Sequence, residues 1–351
     1  CNGQLLESSD IADAKMVVYN NDGTQTRMAV NSIRCAAKYL YDNGIVPKKN
    51  MTIETENQYA QHLMTCCESR GHGEIGSAIL KSVSKPGRYS GGEYGEILKD
   101  KSTIKARFAF AFPDSYEIGM SNLGMRILYG ALNANDDIWC ERVFAPWVDM
   151  QEKMREQNVP LTCLESGDPV ADFDFLGFTL QYEMCYTTVL NMLELANIPL
   201  RAADRGEDCP LVIGGGPCAY NPEPVADFFD LFNIGEGEEM LPEIVRLYIK
   251  MKDEGTYTRA AFLHEAARTI QGVYVPSLYT VTYNEDGTVK AYTPVYDDIP
   301  ATVTKRIVQD LDKTPFPDKV VMPYIETVQD RITVEVGRGC IRGCRFCQAG
   351  M

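Results

Sequence analysis

At 351 residues, 45% of them hydrophobic and 24% charged, the chain has length for two or three domains and enough apolar mass to bury a sizeable core. Its 49 acidic against 34 basic residues argue against a polyanion-binding surface as its main business, and no strong nucleic-acid signal occurs elsewhere. No run of about 18 apolar residues exists, and the opening CNGQLLESSD has neither a basic nor an apolar leader region, so the expectation is a cytoplasmic chain with no membrane insertion.

Residues 1–56 read as a small α+β piece. A strand over Met16 to Tyr19 precedes a turn at Asn21-Asp22-Gly23. A helix from Asn31 to Asp42 follows, with Ile33, Ala36, Ala37 and Leu40 on one face, then Gly44 as its cap and a strand over Met51 to Glu54. The stretch YNNDGTQTRMAVNSIRCAAKYLYDNG resembles the N-terminal half-domain of diaminopimelate epimerase. In that family a Cys-Gly-Asn at a helix N-terminus carries the catalytic cysteine. Asn20 and Asn31 match its pattern, but Ala29-Val30 stand where Cys-Gly is expected, so the resemblance implies a fragment without epimerase chemistry.

Residues 57–100 are rich in Gly, Ser and Lys and read as a linker with one short helix near Ile75 to Val83. His62 and His72 fall here without a metal-ligand frame around them, which makes them a chance pair.

From 101 to 255 the pattern alternates. Apolar runs at Arg107 to Phe112, Glu141 to Phe144, Phe173 to Leu180, Pro210 to Ile213 and Leu231 to Ile234 read as buried strands. Helical periodicity covers Asn122 to Asn133, Met150 to Gln157, Thr187 to Asn197 and Glu236 to Lys252. Such alternation predicts an α/β fold with a doubly wound parallel sheet, whose ligand crevice lies outside the carboxyl ends of the strands. After the fourth strand come Gly214, Gly215 and Gly216. A tight turn accounts for one or two of these glycines, and three together favour a ligand that approaches bare backbone.

ARFAFAFPDSYEIGMSNLG and PLVIGGGPCAYNPEP resemble the Rossmann-like, cobalamin-binding-type domain of B12-binding radical SAM proteins, an uncharacterised subfamily whose likeness runs from about Val83 to the C-terminus. The resemblance implies corrinoid contacts at Asp114, Tyr116, Gly119, Thr179, Gly214, Gly215 and Gly216. Tyr116 stands where the family's axial histidine is expected, and no histidine occurs between Asp100 and Met251. Imidazole ligation from within this domain is therefore excluded, and a bound corrinoid would have a lower face vacant, water-bound or faced by Tyr116. Cys218 occupies the place of a histidine found in many relatives; contact with a ligand and simple packing both fit it.

Residues 256–330 read as a connector: a helix from Thr258 to Ile270, then a hairpin about Asn284-Glu285-Asp286-Gly287. Residues 331–351 begin with an alternating run, Ile332, Val334 and Val336, and end in GRGCIRGCRFCQAGM. Of twelve cysteines, nine are scattered and read as reduced thiols acting as small hydrophobes; Cys340, Cys344 and Cys347 form a C-x3-C-x2-C loop. Three thiolates on one loop can hold three irons of a [4Fe-4S] cluster and leave the fourth open, whereas structural zinc asks for a fourth ligand.

This spacing is the signature that the radical SAM superfamily carries. The resemblance implies that S-adenosylmethionine chelates the open iron, that Phe346 packs near its adenine, and that a reductant such as flavodoxin or ferredoxin supplies an electron. It further implies a radical modification, methyl transfer among the candidates. The family's barrel needs about 200 or more residues, and only its first strand and cluster loop are recognisable here. The expectation is thus a fragment of a longer enzyme, inactive by itself. The alternative reading is a corrinoid- or nucleotide-binding scaffold without catalysis.

Overall fold

The computed structural model describes residues 3–7, 14–19, 50–54, 60–63 and 77–347, apart from 315, 318, 319, 330 and 332. The chain divides into two compact units, Cys1–Gly71 and His72–Met351. In the first, β1 (Gly3–Glu7), β2 (Ala14–Tyr19), β3 (Asn50–Glu54) and β4 (Ala60–Leu63) form a sheet in that order, parallel between β2 and β3 and antiparallel elsewhere. Strand β4 falls where composition alone reads as linker. The helix expected over Asn31 to Asp42, together with Asn20, Ala29, Val30 and His72, lies outside the described residues.

The second unit is built on β5 (Ala106–Phe112), β6 (Ile138–Phe144), β7 (Phe175–Thr179), β8 (Leu211–Gly215), β9 (Leu231–Asn233) and β10 (Val273–Tyr274). The sheet order is β10-β9-β8-β7-β5-β6, with every pair parallel except β9 with β10. The helices are α1 (Ser77–Ser82), α2 (Tyr116–Gly119), α3 (Leu123–Asn133), α4 (Val148–Gln157), α5 (Tyr186–Leu195), α6 (Gly237–Asp253) and α7 (Arg259–Thr269). This is an α/β architecture with a mostly parallel six-stranded sheet, consistent with the doubly wound class.

Local chemistry explains the elements. Alanine and phenylalanine alternate along β5, and the period of two sends Phe108, Phe110 and Phe112 to one face and Ala109 and Ala111 to the other, all buried. The phenylalanine face packs with Leu132 of α3, Ile244 of α6 and Phe262 of α7; the alanine face packs with Met150 of α4 and Val189 and Met192 of α5. Helix α3 starts where Asn122 Oδ1 accepts from the Met125 amide at 2.9 Å, and α4 stops where Asn158 turns left-handed. Gly177 has no side chain because the Phe108 ring fills the space: a Cβ there would lie 2.5 Å from it.

Strand β5 lies between β6 and β7, so the chain leaves it in one direction and then returns past it in the other. That reversal opens a crevice at the carboxyl ends of β5 and β7.

Segments that read as linker and connector belong to this unit. Arg88 and Glu93 are buried in it, α7 supplies Phe262 and Ala266 to the core, and β10 extends the sheet. Their polar or loop-like composition conceals this, since buried ion pairs rather than apolar stripes hold Arg88 and Glu93. The expected hairpin is present as β11 (Tyr279–Tyr283) and β12 (Val289–Pro294), turning through Gly287 at φ 81°. Residues 333–336, expected as a strand, are not one, and Ile332 lies outside the described residues. A strand exists by backbone pairing, and among the described residues no neighbouring backbone hydrogen-bonds to this segment; Val336 is fully exposed.

Candidate functional site

A cleft of about 170 Å³ opens at the carboxyl ends of the parallel strands, between the sheet and helices α3 and α6. Its floor and walls are Phe108, Phe110, Leu128, Ile213 and Leu241, and its polar rim includes Thr179, Gln181 and Asn233. Gly215, Gly216, Gly235 and Gly237 also line it, and so does Gly124 in the first turn of α3. Thr179 Oγ1 accepts from Gln181 Nε2 at 2.5 Å.

The residues that resemblance associates with a corrinoid divide between this cleft and other tasks. Thr179, Gly215 and Gly216 line it. Gly214 does not: its missing Cβ would lie 2.6 Å from the Phe232 ring, on the opposite face. Gly119 makes room for Phe144, 2.3 Å from where a Cβ would stand. Tyr116 is buried under Phe144 with ring centroids 5.2 Å apart, and its hydroxyl donates to Glu93. Burial and the adjacent Glu93 carboxylate push that phenol far above its usual pKa, so it stays protonated. Asp114 caps the turn at Ser115 and accepts from Tyr182 Oη at 2.6 Å, tying the loop after β5 to the loop after β7. Cys218 is buried, its thiol pKa raised by that burial, and it contacts Tyr186 rather than the cleft. With Asp114, Tyr116 and Gly119 away from the cleft, corrinoid binding finds no support in this geometry.

The cysteine loop is the second place of interest. Cys340, Cys344 and Cys347 are all exposed free thiols on two consecutive turns, with the Cys347 amide donating to the Cys344 carbonyl at 3.0 Å. Gly339 and Gly343, each just before a cysteine, adopt φ of 79° and 61°, a left-handed conformation that glycine takes without strain. Among the described residues no three His, Cys, Asp or Glu side chains are drawn together closely enough to hold a metal ion. The donor set nonetheless fits an iron-sulfur cluster: three soft, accessible thiols on one short loop that glycines let fold around a ligand. Phe346 beside them is almost fully exposed.

One side chain outside the cysteine spacing proves to be an anchor. Arg338, two residues before Cys340, pairs with Glu335 at 2.7 Å, with Glu236 at 3.2 Å and with Glu238. Glu236 and Glu238 flank Gly237, which lines the cleft, so the root of the cysteine loop is fastened at the edge of the crevice. Those hydrogen bonds, Glu335 first, outweigh partial burial and raise the guanidinium's pKa. The GEGEE run after β9 is the signal in the sequence, since it gathers Glu236, Glu238 and Glu239 at the start of α6.

Comparison with known proteins brings three results. An uncharacterized protein of Methanocaldococcus jannaschii is 26% identical over 249 residues, which is 69% of this chain and 40% of that protein. Diaminopimelate epimerases of Caldanaerobacter subterraneus and Parabacteroides distasonis match over 51 residues at 51% and 47% identity, covering 14% of this chain and 19% of each enzyme. The chain thus spans well under half the length of these curated relatives. Among the described residues no helix is long and apolar enough to cross a membrane. Finally, residues 124–276, from α3 to just beyond β10, match the family model described as "Radical SAM proteins, N-terminal", which supports a radical SAM family for this chain and lends no support to a corrinoid-binding domain.

Proposed function

We propose that this chain is the N-terminal part of a radical SAM enzyme in which Cys340, Cys344 and Cys347 hold three irons of a [4Fe-4S] cluster, with S-adenosylmethionine as the second cofactor. The observation that carries the reading is the exposed three-thiol loop on glycine turns, C-terminal to a region that matches the N-terminal domain of radical SAM proteins. When bound, the cluster and S-adenosylmethionine supply one-electron chemistry that ends in hydrogen abstraction from an unactivated position. The chain's own residues contribute thiolate donors and place them. Arg338 roots the loop at Glu236 and Glu238, so that the donors are held relative to the rigid sheet rather than on a free tail. A one-electron donor such as flavodoxin or ferredoxin is the partner that this chemistry requires.

Anaerobic reconstitution with iron and sulfide tests the reading. The expected product carries about four irons per chain, a broad visible absorption that bleaches on reduction, and an EPR signal of the reduced cluster that changes on adding S-adenosylmethionine. Single Cys340→Ala, Cys344→Ala and Cys347→Ala variants should each lose it. Iron uptake that survives all three substitutions, or a colourless protein after reconstitution, overturns the assignment.

A further inference from the structure

Tyr116, Glu117 and Ser121, in and just after α2, all bond to one later segment of the chain. The phenol oxygen of Tyr116 takes a hydrogen bond from the Tyr324 backbone amide. Glu117 O accepts from the Val328 amide at 3.5 Å, and Ser121 Oγ from the Gln329 amide at 3.0 Å. Earlier in the same segment the Met322 amide donates to Tyr94 O at 2.8 Å in an isolated antiparallel bridge, and Val321 is buried in the core. Residues 320–329 therefore lie as a strap against α2 and the segment 87–95, and the chain runs on from this strap to Arg338 and the cysteines.

Two glycines make the seat. A Cβ on Gly87 would lie 2.6 Å from Ile325 Cγ2, and one on Gly95, at φ 84°, would lie 2.6 Å from Val320 O. A side chain at either position would lift the strap. The bonds that hold it differ in what water can do to them. Those of Val328 and Gln329 are long or exposed, so water replaces them readily. Tyr116 is 1% exposed, and its hydroxyl donates to Glu93, whose carboxylate pairs with Arg142, itself paired with Glu165. A phenol whose proton is drawn toward a carboxylate is a stronger acceptor, so the Tyr324 amide is tied to a buried ion-pair network of the sheet unit.

We infer that Tyr116 is a positioning residue: its hydroxyl latches the strap onto the sheet unit and, through the strap, sets where the cysteine loop stands. Two tie points bound the path into that loop, Gln329 on Ser121 at one end and Arg338 on Glu236 and Glu238 at the other. Between them residues 333–337 make no backbone hydrogen bond among the described residues, and Val334 and Val336 are exposed, so nothing in that stretch fixes its course. The loop's place is then decided by its two ends, of which the strap is the one connected to the buried network. The latch itself needs no cofactor; that the loop it steadies is a cluster site rests on the iron-sulfur reading.

Tyr116→Phe tests the latch, since it keeps the ring packed on Phe144 and removes only the oxygen. In hydrogen exchange of the full chain without metal, the amides of residues 320–329 should exchange about tenfold faster, as loss of one buried hydrogen bond predicts, while β5 to β8 keep their protection. Gly87→Ala crowds Ile325 and leaves Tyr116, Glu93 and Arg142 untouched, and it should loosen the same amides. In amide-resolved NMR of the same metal-free protein, both variants should shift the resonances of residues 338–347, which a tyrosine serving only the core would leave in place. Unchanged exchange over 320–329 in Tyr116→Phe overturns the latch, as does an equal loss of protection throughout β5 to β8. A loosened strap with the resonances of 338–347 unmoved in both variants overturns its control of the loop. Every measurement is made without a cluster, so failure of the latch and failure of the iron-sulfur reading are told apart.

Discussion

Arg338 reaches back one hundred residues to Glu238 and, with the same guanidinium, engages Glu236 and Glu335. Three carboxylates from two segments around one planar cation form a clamp, and the clamp closes two residues before Cys340. Replacing Arg338 with alanine leaves these acids facing each other and should loosen the loop by about 1–3 kcal/mol, the usual value for charge-assisted hydrogen bonds. The expected readout is faster amide exchange over residues 333–347 with exchange in β5 to β8 unchanged. In reconstituted protein a shifted cluster potential should accompany it. Arg338→Lys keeps the charge without the fork and should restore only part of the protection.

A second cation organises the interior. Arg142 is 2% exposed and pairs with Glu93 at 2.7 Å and Glu165 at 2.6 Å, both buried, while Tyr116 donates to Glu93. Removing one member of such a set strands charges away from water, so Arg142→Ala should cost roughly 3–5 kcal/mol in urea unfolding. Glu93→Gln and Glu165→Gln introduced along with it should recover part of that loss, because the penalty comes from carboxylates left unpaired.

Acid should act first through Glu117. Burial by itself raises this carboxyl's pKa, but hydrogen bonds from Arg88 at 2.8 Å and Lys85 at 2.9 Å prevail and lower it from 4.5 to about 2. The unfolded chain therefore binds this proton more readily than the folded one. The stabilisation is complete above pH about 4.5 and drains away as pH falls toward 2, amounting to about 2–3 kcal/mol. Glu117→Gln should show lower stability at neutral pH and a flatter stability profile between those limits.

The adjacent glycines 214 and 215 should respond differently to the same substitution. Gly214→Ala drives a methyl to within 2.6 Å of the Phe232 ring and should destabilise by about 1–3 kcal/mol. Gly215→Ala meets nothing closer than 3.7 Å and should change the denaturation midpoint by less than about 0.5 kcal/mol equivalent. Equal losses at both positions would contradict the packing described for β8.

Much of the sheet unit is legible from sequence because its information is local. The Ala-Phe alternation of β5, the 3.6-residue stripes of α3 and α6, the Asn122 cap and the Gly287 hairpin each follow from a few neighbouring residues. The cysteine spacing is likewise a local fact, and the resemblance to the radical SAM superfamily rests on it.

What tertiary structure decided is which face and which partner each residue has. Adjacent strand residues point to opposite sides, so Gly214 and Gly215 look alike in sequence yet one backs onto Phe232 and the other onto a cleft. The aspartate, tyrosine and glycine of DSYEIG resemble ligand contacts, but Tyr116 belongs to Glu93 and Gly119 to Phe144, residues 23 and 25 positions away. Arg88 and Glu93 sit in a stretch with the composition of a linker, and only the arrival of Glu117 and Arg142 from elsewhere in the chain makes their burial affordable. Local pattern determined the elements and the donor atoms of the cysteine loop; long-range pairing, which no window of sequence contains, determined the cleft.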